Sequence, residues 1–282
     1  MHQVGYGPKQ LRHSKTRKPF RYHGTRLAEL EAQLPDFKQR LGAIGRGITF
    51  VEEAVGAALV SEVVILDYSA VENAVTRNDS DAVWFYIETF RGEPIDELET
   101  IAAHETLHKY IDRRRLIHST RVRELFSHLK GFGLFSLERF LMVSQGIVSS
   151  EDETPDPAGE TFFRFISEKH FIENRKGGHA GDNLDEFCTS FIHSVLYLHR
   201  LEENLSRPIR QSDGLDRFLS EAEQRDILDA YTRALEIFKD AIAIESKSAA
   251  AERQDAALLC RGLSLAKQIR GSGVATASAD DL

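Results

Sequence analysis

The sequence predicts a helix-rich α+β fold, and three observations carry that expectation. Apolar residues recur at helical spacing over long stretches, most clearly at 94–115 and 182–205. The β-branched and aromatic runs are few and short: "SEVVILDY" (61–68) and "DAVWFYIETF" (81–90). The composition is globular, with 41% hydrophobic and 28% charged residues among 282, enough to bury a substantial core.

Residues 1–28 carry Lys9, Arg12, Lys15, Arg17, Lys18, Arg21 and Arg26 with no acid before Glu29. This reads as a basic, unordered arm, either merely solvated or able to touch an acidic partner, a membrane surface or RNA. "GTRLAELEAQLPDFKQRLGAIGRG" then has helical periodicity ending in glycines. "ITFVEEAVGAALVSEVVILDY" mixes alanines with β-branched residues, so helix and strand compete there, and its last third is the better strand. After the aromatic strand at 81–90, Pro94 stands at a helix start, where its missing N–H costs nothing. Asp96, Glu97 and Glu99 suit the positive end of that helix's dipole, and Arg113, Arg114 and Arg115 suit the negative end. Ile95, Leu98, Ala102, Leu107 and Ile111 form its apolar stripe.

A helical segment over 121–143 is broken by "KGFGLF", and "SSEDETPDPAGE" (149–160) is an acidic loop, solvated or acting as a lid. A second strong helix spans 182–205, with Phe187, Phe191, Val195, Leu198 and Leu201 inward and Asp182 or Asn183 as N-cap. Two further helical segments lie between 213 and 269. The expected organisation is the arm 1–28, a single domain over 29–270 with a helical C-terminal part, and an unordered tail at 271–282.

No apolar run approaches the ~18 residues that span a bilayer. The first twenty residues contain no secretory h-region, and two cysteines make no disulfide framework. A cytoplasmic location is expected, with export by a leaderless route as the alternative. A net charge of −8 argues against general nucleic-acid binding.

The chemistry is concentrated in "TIAAHETLHKY" (100–110). On a helix, positions four apart face the same way, so His104 and His108 can reach one ion. Zinc accepts imidazole nitrogens and keeps a position open for water in catalytic sites, and Glu105 is placed to act as general base. The alternative is a polar helix face with two unconnected histidines. A third ligand is required. Arg114 occupies the position six after His108, and His118 would need the helix to fold back. Asp112, one turn beyond His108, suits a hydrogen bond to a ligand histidine. Glu186 is the strongest ligand candidate, with a capping box to Asn183 as its alternative role and Asp185 or His193 as substitutes. Cys188 reads as a small buried hydrophobe.

The run from His104 to His108, together with "LDEFCTSF", resembles the zincin metallopeptidases. More narrowly, it resembles the gluzincins, of which the lethal-factor and Pro-Pro endopeptidase group is an example. That resemblance implies a zincin-like α+β fold, in which a small sheet ends in an edge strand holding an extended peptide. It implies one Zn2+ per chain on His104, His108 and Glu186, and zinc-dependent endopeptidase activity on a protein or peptide substrate. It also aligns His179 with a tyrosine that steadies the oxyanion in that group; the other reading of His179 is a loop histidine between glycines. The chain departs from the group in that histidine, in the 77 residues between His108 and Glu186, and in having no thermolysin-type N-E-x-x-S-D stretch. If 81–90 is the edge strand, a substrate pairs along it, with Trp84, Phe85 and Tyr86 lining a pocket or filling the core. Two rival functions remain: a non-catalytic zincin-fold binding protein, against which Glu105 speaks, and hydrolysis of a non-peptide amide.

Overall fold

The computed structural model describes residues 11–12, 19–23, 27–66, 74–76, 80–129, 162–163, 165–166, 179–197, 205, 209–210, 216–217, 219–245, 257–266 and 268. They fall into two compact units, Met1–Arg113 and Arg114–Leu282. Helices dominate, beside a small mixed sheet, so the coarse α+β expectation holds. The expected loop at 149–160 and the tail at 271–282 lie outside the described residues.

In the first unit the elements run β1 (Leu11–Arg12), β2 (Pro19–His23), α1 (Leu27–Gln33), α2 (Phe37–Val55), β3 (Glu62–Leu66), β4 (Ala74–Thr76), β5 (Ala82–Tyr86), α3 (Ile87–Gly92) and α4 (Ile95–Arg113). The sheet order is β1-β2-β3-β5-β4. Strands β2, β3 and β5 are parallel neighbours, while β1 and β4 are antiparallel additions at the two sides. Residues 11–12 and 19–23 therefore build part of the sheet, although the basic composition suggests an unordered arm. "PFRYH" alternates aromatic and basic residues, the period-2 pattern of a strand, beneath its excess of charge.

Central strands of a parallel sheet are covered on both faces, and "EVVIL" of β3 is a buried apolar run in keeping with that. Val63, Ile65, Val83 and Phe85 point to one face of the sheet, while Val64, Leu66, Ala82 and Tyr86 cluster on the other with Val75 and Trp84. The aromatic stretch at 81–90 is strand only as far as Tyr86 and then turns into α3, so one pattern hid two elements. It is also not an edge. β5 sits between β3 and β4, and Phe85 is core.

Helix α2 runs on through the glycines at 42, 45 and 47, which suggest a stop in the sequence. All three are buried, and a Cβ on Gly47 would collide with the Glu99 carbonyl oxygen of α4. Here glycine permits close helix approach rather than ending the helix. The end comes at Gly56, in the left-handed conformation at φ 65°. Glu52 then accepts from the N–H groups of Leu59 (2.7 Å) and Val60 (2.9 Å) and fixes the turn into β3.

The second unit contains α5 (Thr120–Ser127), α6 (Leu184–Leu196), the short pair β6 (Ile209–Arg210) and β7 (Asp216–Arg217), and α7 (Glu221–Glu245). A last helical segment covers 257–266. Its core is aromatic: Phe191 stacks on Phe238 with centroids 4.6 Å apart, and Phe163, Phe187, Phe165 and Tyr231 extend the cluster edge to face. Ser220 and Glu223 form a reciprocal capping box at the start of α7.

Candidate metal centre

Helix α4 carries the two histidines, and the sequence explains why it is a helix. Pro94 precedes its first turn, the Leu98 N–H reaches the Pro94 carbonyl at 3.0 Å, and Asp96 and Glu97 face the dipole's positive end. Leu98, Ala102, Leu107 and Ile111 are fully buried as the periodicity requires, while Ile95 is partly exposed. Arg115 closes the helix in the left-handed region at φ 54°, a place that glycine fills more easily.

His104 and His108 emerge half-buried from this helix, while Glu105 between them is only 9% exposed. Their Nε2 atoms are 3.2 Å apart, with the rings inclined at 82°. Two imidazole nitrogens on one tetrahedral zinc, each at ~2.0–2.1 Å, stand about 3.3–3.4 Å apart. The pair is therefore spaced as one ion requires, and the same spacing is also compatible with one ring donating to the other.

Glu186 lies in the first turn of α6. Asn183 is the N-cap, and its Oδ1 accepts from the Glu186 N–H at 3.0 Å. This bond engages only the backbone N–H of Glu186, so it does not compete with a ligand role for the carboxylate. The backbone of Glu186 is held by Asn183, and its carboxylate joins His104 and His108 in a group able to hold a metal ion. One ligand atom from each lies within 4.8 Å of the others, and this is the one such group among the described residues.

Neither Asp185 nor His193 belongs to the group. Asp185 is partly exposed, whereas His193 is completely buried with its ring 4.6 Å from that of Tyr197. Asp112 is exposed, and among the described residues no hydrogen bond joins it to His108. His118 ends a short 3-10 turn, Leu116–His118, beyond α4. His179 opens the 3-10 turn His179–Gly181 just before α6, and its side chain lies outside the described residues. Cys188 is buried, and burial first, then the Asp185 charge, pushes its thiol well above the ordinary value. It is an inert part of the core, the small buried hydrophobe expected from the sequence.

Two features escape a reading of the sequence. One is β4, the edge of the sheet beside β5; Val75 and Thr76, followed by Asn78 and Asp79 and then by an aromatic strand, carry the hairpin signal. The other is Lys109, a lysine only 8% exposed, whose Nζ donates to the Ser80 carbonyl at 2.6 Å. Nothing in its sequence context marks it as buried. No family model, curated protein or solved structure matches this chain. No helix among the described residues is long and apolar enough to cross a membrane.

Proposed function

We propose that this protein is a zinc-dependent metallopeptidase that cleaves a peptide bond within a protein or peptide substrate. The observation that carries the reading is the grouping of His104, His108 and Glu186, with Glu105 buried on the same helix as the histidines. Two neutral imidazoles and one carboxylate are a donor set suited to catalytic zinc, which leaves a fourth position open. When bound, zinc supplies Lewis acidity and lowers the pKa of water into the neutral range.

The remaining work falls to the chain. Glu105 takes the proton from the attacking water on its carboxylate and returns it to the amide nitrogen that leaves. Its burial excludes bulk water from that carboxylate and holds it in one place. The substrate strand pairs with β4, not β5, because β4 is the edge strand beside β5. Extended main chain is the ligand such an edge selects. His179 is the proposed oxyanion donor, by analogy with the family resemblance.

The test is hydrolysis of a quenched-fluorescence peptide library by zinc-loaded wild type and by Glu105→Gln. Cleavage by wild type that falls by ~10³-fold or more in E105Q, with zinc still bound, supports the assignment of Glu105 as base. Zinc-loaded wild type that cleaves no member of the library would refute the peptidase reading.

A further inference from the structure

Lysine is rarely buried, because desolvating its ammonium is costly unless a partner compensates. Lys109 follows His108 directly on α4 and is nevertheless 8% exposed, with its Nζ 2.6 Å from the Ser80 carbonyl oxygen. A methionine would fill similar volume without that cost, and the lysine adds a hydrogen bond to the Ser80 carbonyl.

The bond lands at a particular place. Ser80 leads into β5, and its hydroxyl accepts from the Ala82 N–H at 3.1 Å. The next residue, Asp81, offers its carbonyl to the Ser61 N–H at 2.8 Å, at the entrance to β3. Residues 80–82 are thus fixed from two sides, by the strand that β5 pairs with and by the helix of the metal site. From there β5 sets the register of β4 directly, through Ala74↔Phe85, Val75↔Trp84 and Thr76↔Val83. At ~1.5 Å of rise per residue, Lys109 stands at nearly the same height on the helix as His108 and is turned about 100° away from it. One side of α4 therefore presents the histidines, and an adjacent side grips the hairpin that ends in the edge strand.

We propose that Lys109 is a positioning residue that sets the edge strand β4 in register with the metal-bearing turn of α4, so that an extended peptide on β4 lies across the site. This rests on the peptidase reading and adds a specific element to it. Substrate alignment is carried by a charged tether from the metal helix, and not by the sheet alone. Removing the tether loosens β4 and β5 locally and weakens peptide binding. The zinc ligands and the base stay on their helix.

The experiment compares Lys109→Met with wild type by amide hydrogen exchange, zinc affinity in chelator competition, and steady-state kinetics on an extended peptide. Losing a hydrogen bond to a charged group predicts at least about tenfold faster exchange at residues 74–76 and 82 relative to the middle of α4. Zinc affinity stays within about threefold, and KM rises by more than kcat falls. Lys109→Gln keeps an N–H donor on a shorter arm and shows the same changes at smaller size. It replaces K109M, under the same criteria, if K109M does not fold. Unchanged exchange at β4, acceleration spread evenly over the unit, or a lower kcat at constant KM would each overturn the role of Lys109. A wild type that turns over no peptide removes the reading on which the role depends, and the exchange pattern separates that failure from a failure of the tether.

Discussion

Substituting Gly47 by alanine tests the packing that holds the metal helix in place. Alanine is worth about 1 kcal/mol more than glycine inside a helix, so an open site would gain stability. Gly47 is not open. A Cβ there would lie 3.0 Å from both the Ala102 Cβ and the Ala103 nitrogen, and well inside contact with the Glu99 carbonyl oxygen. Ordinary C···O approaches are about 3.3–3.6 Å, and the opposing atoms are backbone that no rotamer change can move. The two helices must separate, and overpacking of this kind costs about 1–3 kcal/mol, with the higher figure apt for a backbone clash. Subtracting the propensity gain leaves a net loss of about 1–2 kcal/mol. Gly92, at the end of α3, is the control: nothing lies within 4 Å of a Cβ there, and Gly92→Ala should gain about 0.4–1 kcal/mol. Urea unfolding followed by far-UV circular dichroism reads both as shifts of midpoint at constant slope. If G47A matches or exceeds G92A in stability, α2 and α4 do not approach as closely as described.

Arg115 holds a left-handed conformation at φ 54°, so Arg115→Gly should raise stability by about 1 kcal/mol, and a lower melting temperature would contradict that geometry. Asn183→Ala should cost about 1 kcal/mol and weaken metal binding by loosening the turn that carries Glu186, while Asn183→Asp keeps both; equal zinc affinity in all three proteins would separate the cap from the site. Burial pushes the Tyr231 hydroxyl far above its ordinary 10.0, and the Cys188 thiol likewise above 9.0. Both groups stay neutral in the folded protein and ionise more readily once unfolded. Their contribution is therefore complete below about pH 9 and is lost as pH rises toward the folded-state values, by about 1.4 kcal/mol per pH unit for each group. Tyr231→Phe removes one of the two, so its unfolding midpoint should fall less steeply than wild type between pH 10 and 11; parallel slopes would show that Tyr231 ionises while folded.

What the sequence made legible was local. Helix α4, with Pro94 before it, acids in its first turn and a single apolar stripe, follows from rules that act within four residues, and so does the spacing of His104 and His108. The Asn183 cap was legible for the same reason. What failed to show depends on distant partners. Gly47 reads as punctuation because the reason for it is α4, some fifty residues on. The strand at 81–90 was visible, but its place inside the sheet was not, since order is set by which strands pair and β4 has only three residues. Composition misled at 19–23, where basic residues occupy alternate positions of a strand. Lys109 stayed hidden because a lysine's burial is decided by the carbonyl it meets, here 29 positions earlier.

Zinc binding is the condition on which the proposed activity depends. Purified wild type, His108→Ala and Glu186→Ala, each dialysed against zinc and then against buffer, should be compared by metal content in mass spectrometry. One zinc per wild-type chain, absent in H108A and lost or much weakened in E186A, is the predicted result. Wild type that retains no zinc, or H108A that retains as much as wild type, would contradict the assignment of His104, His108 and Glu186 as a metal centre.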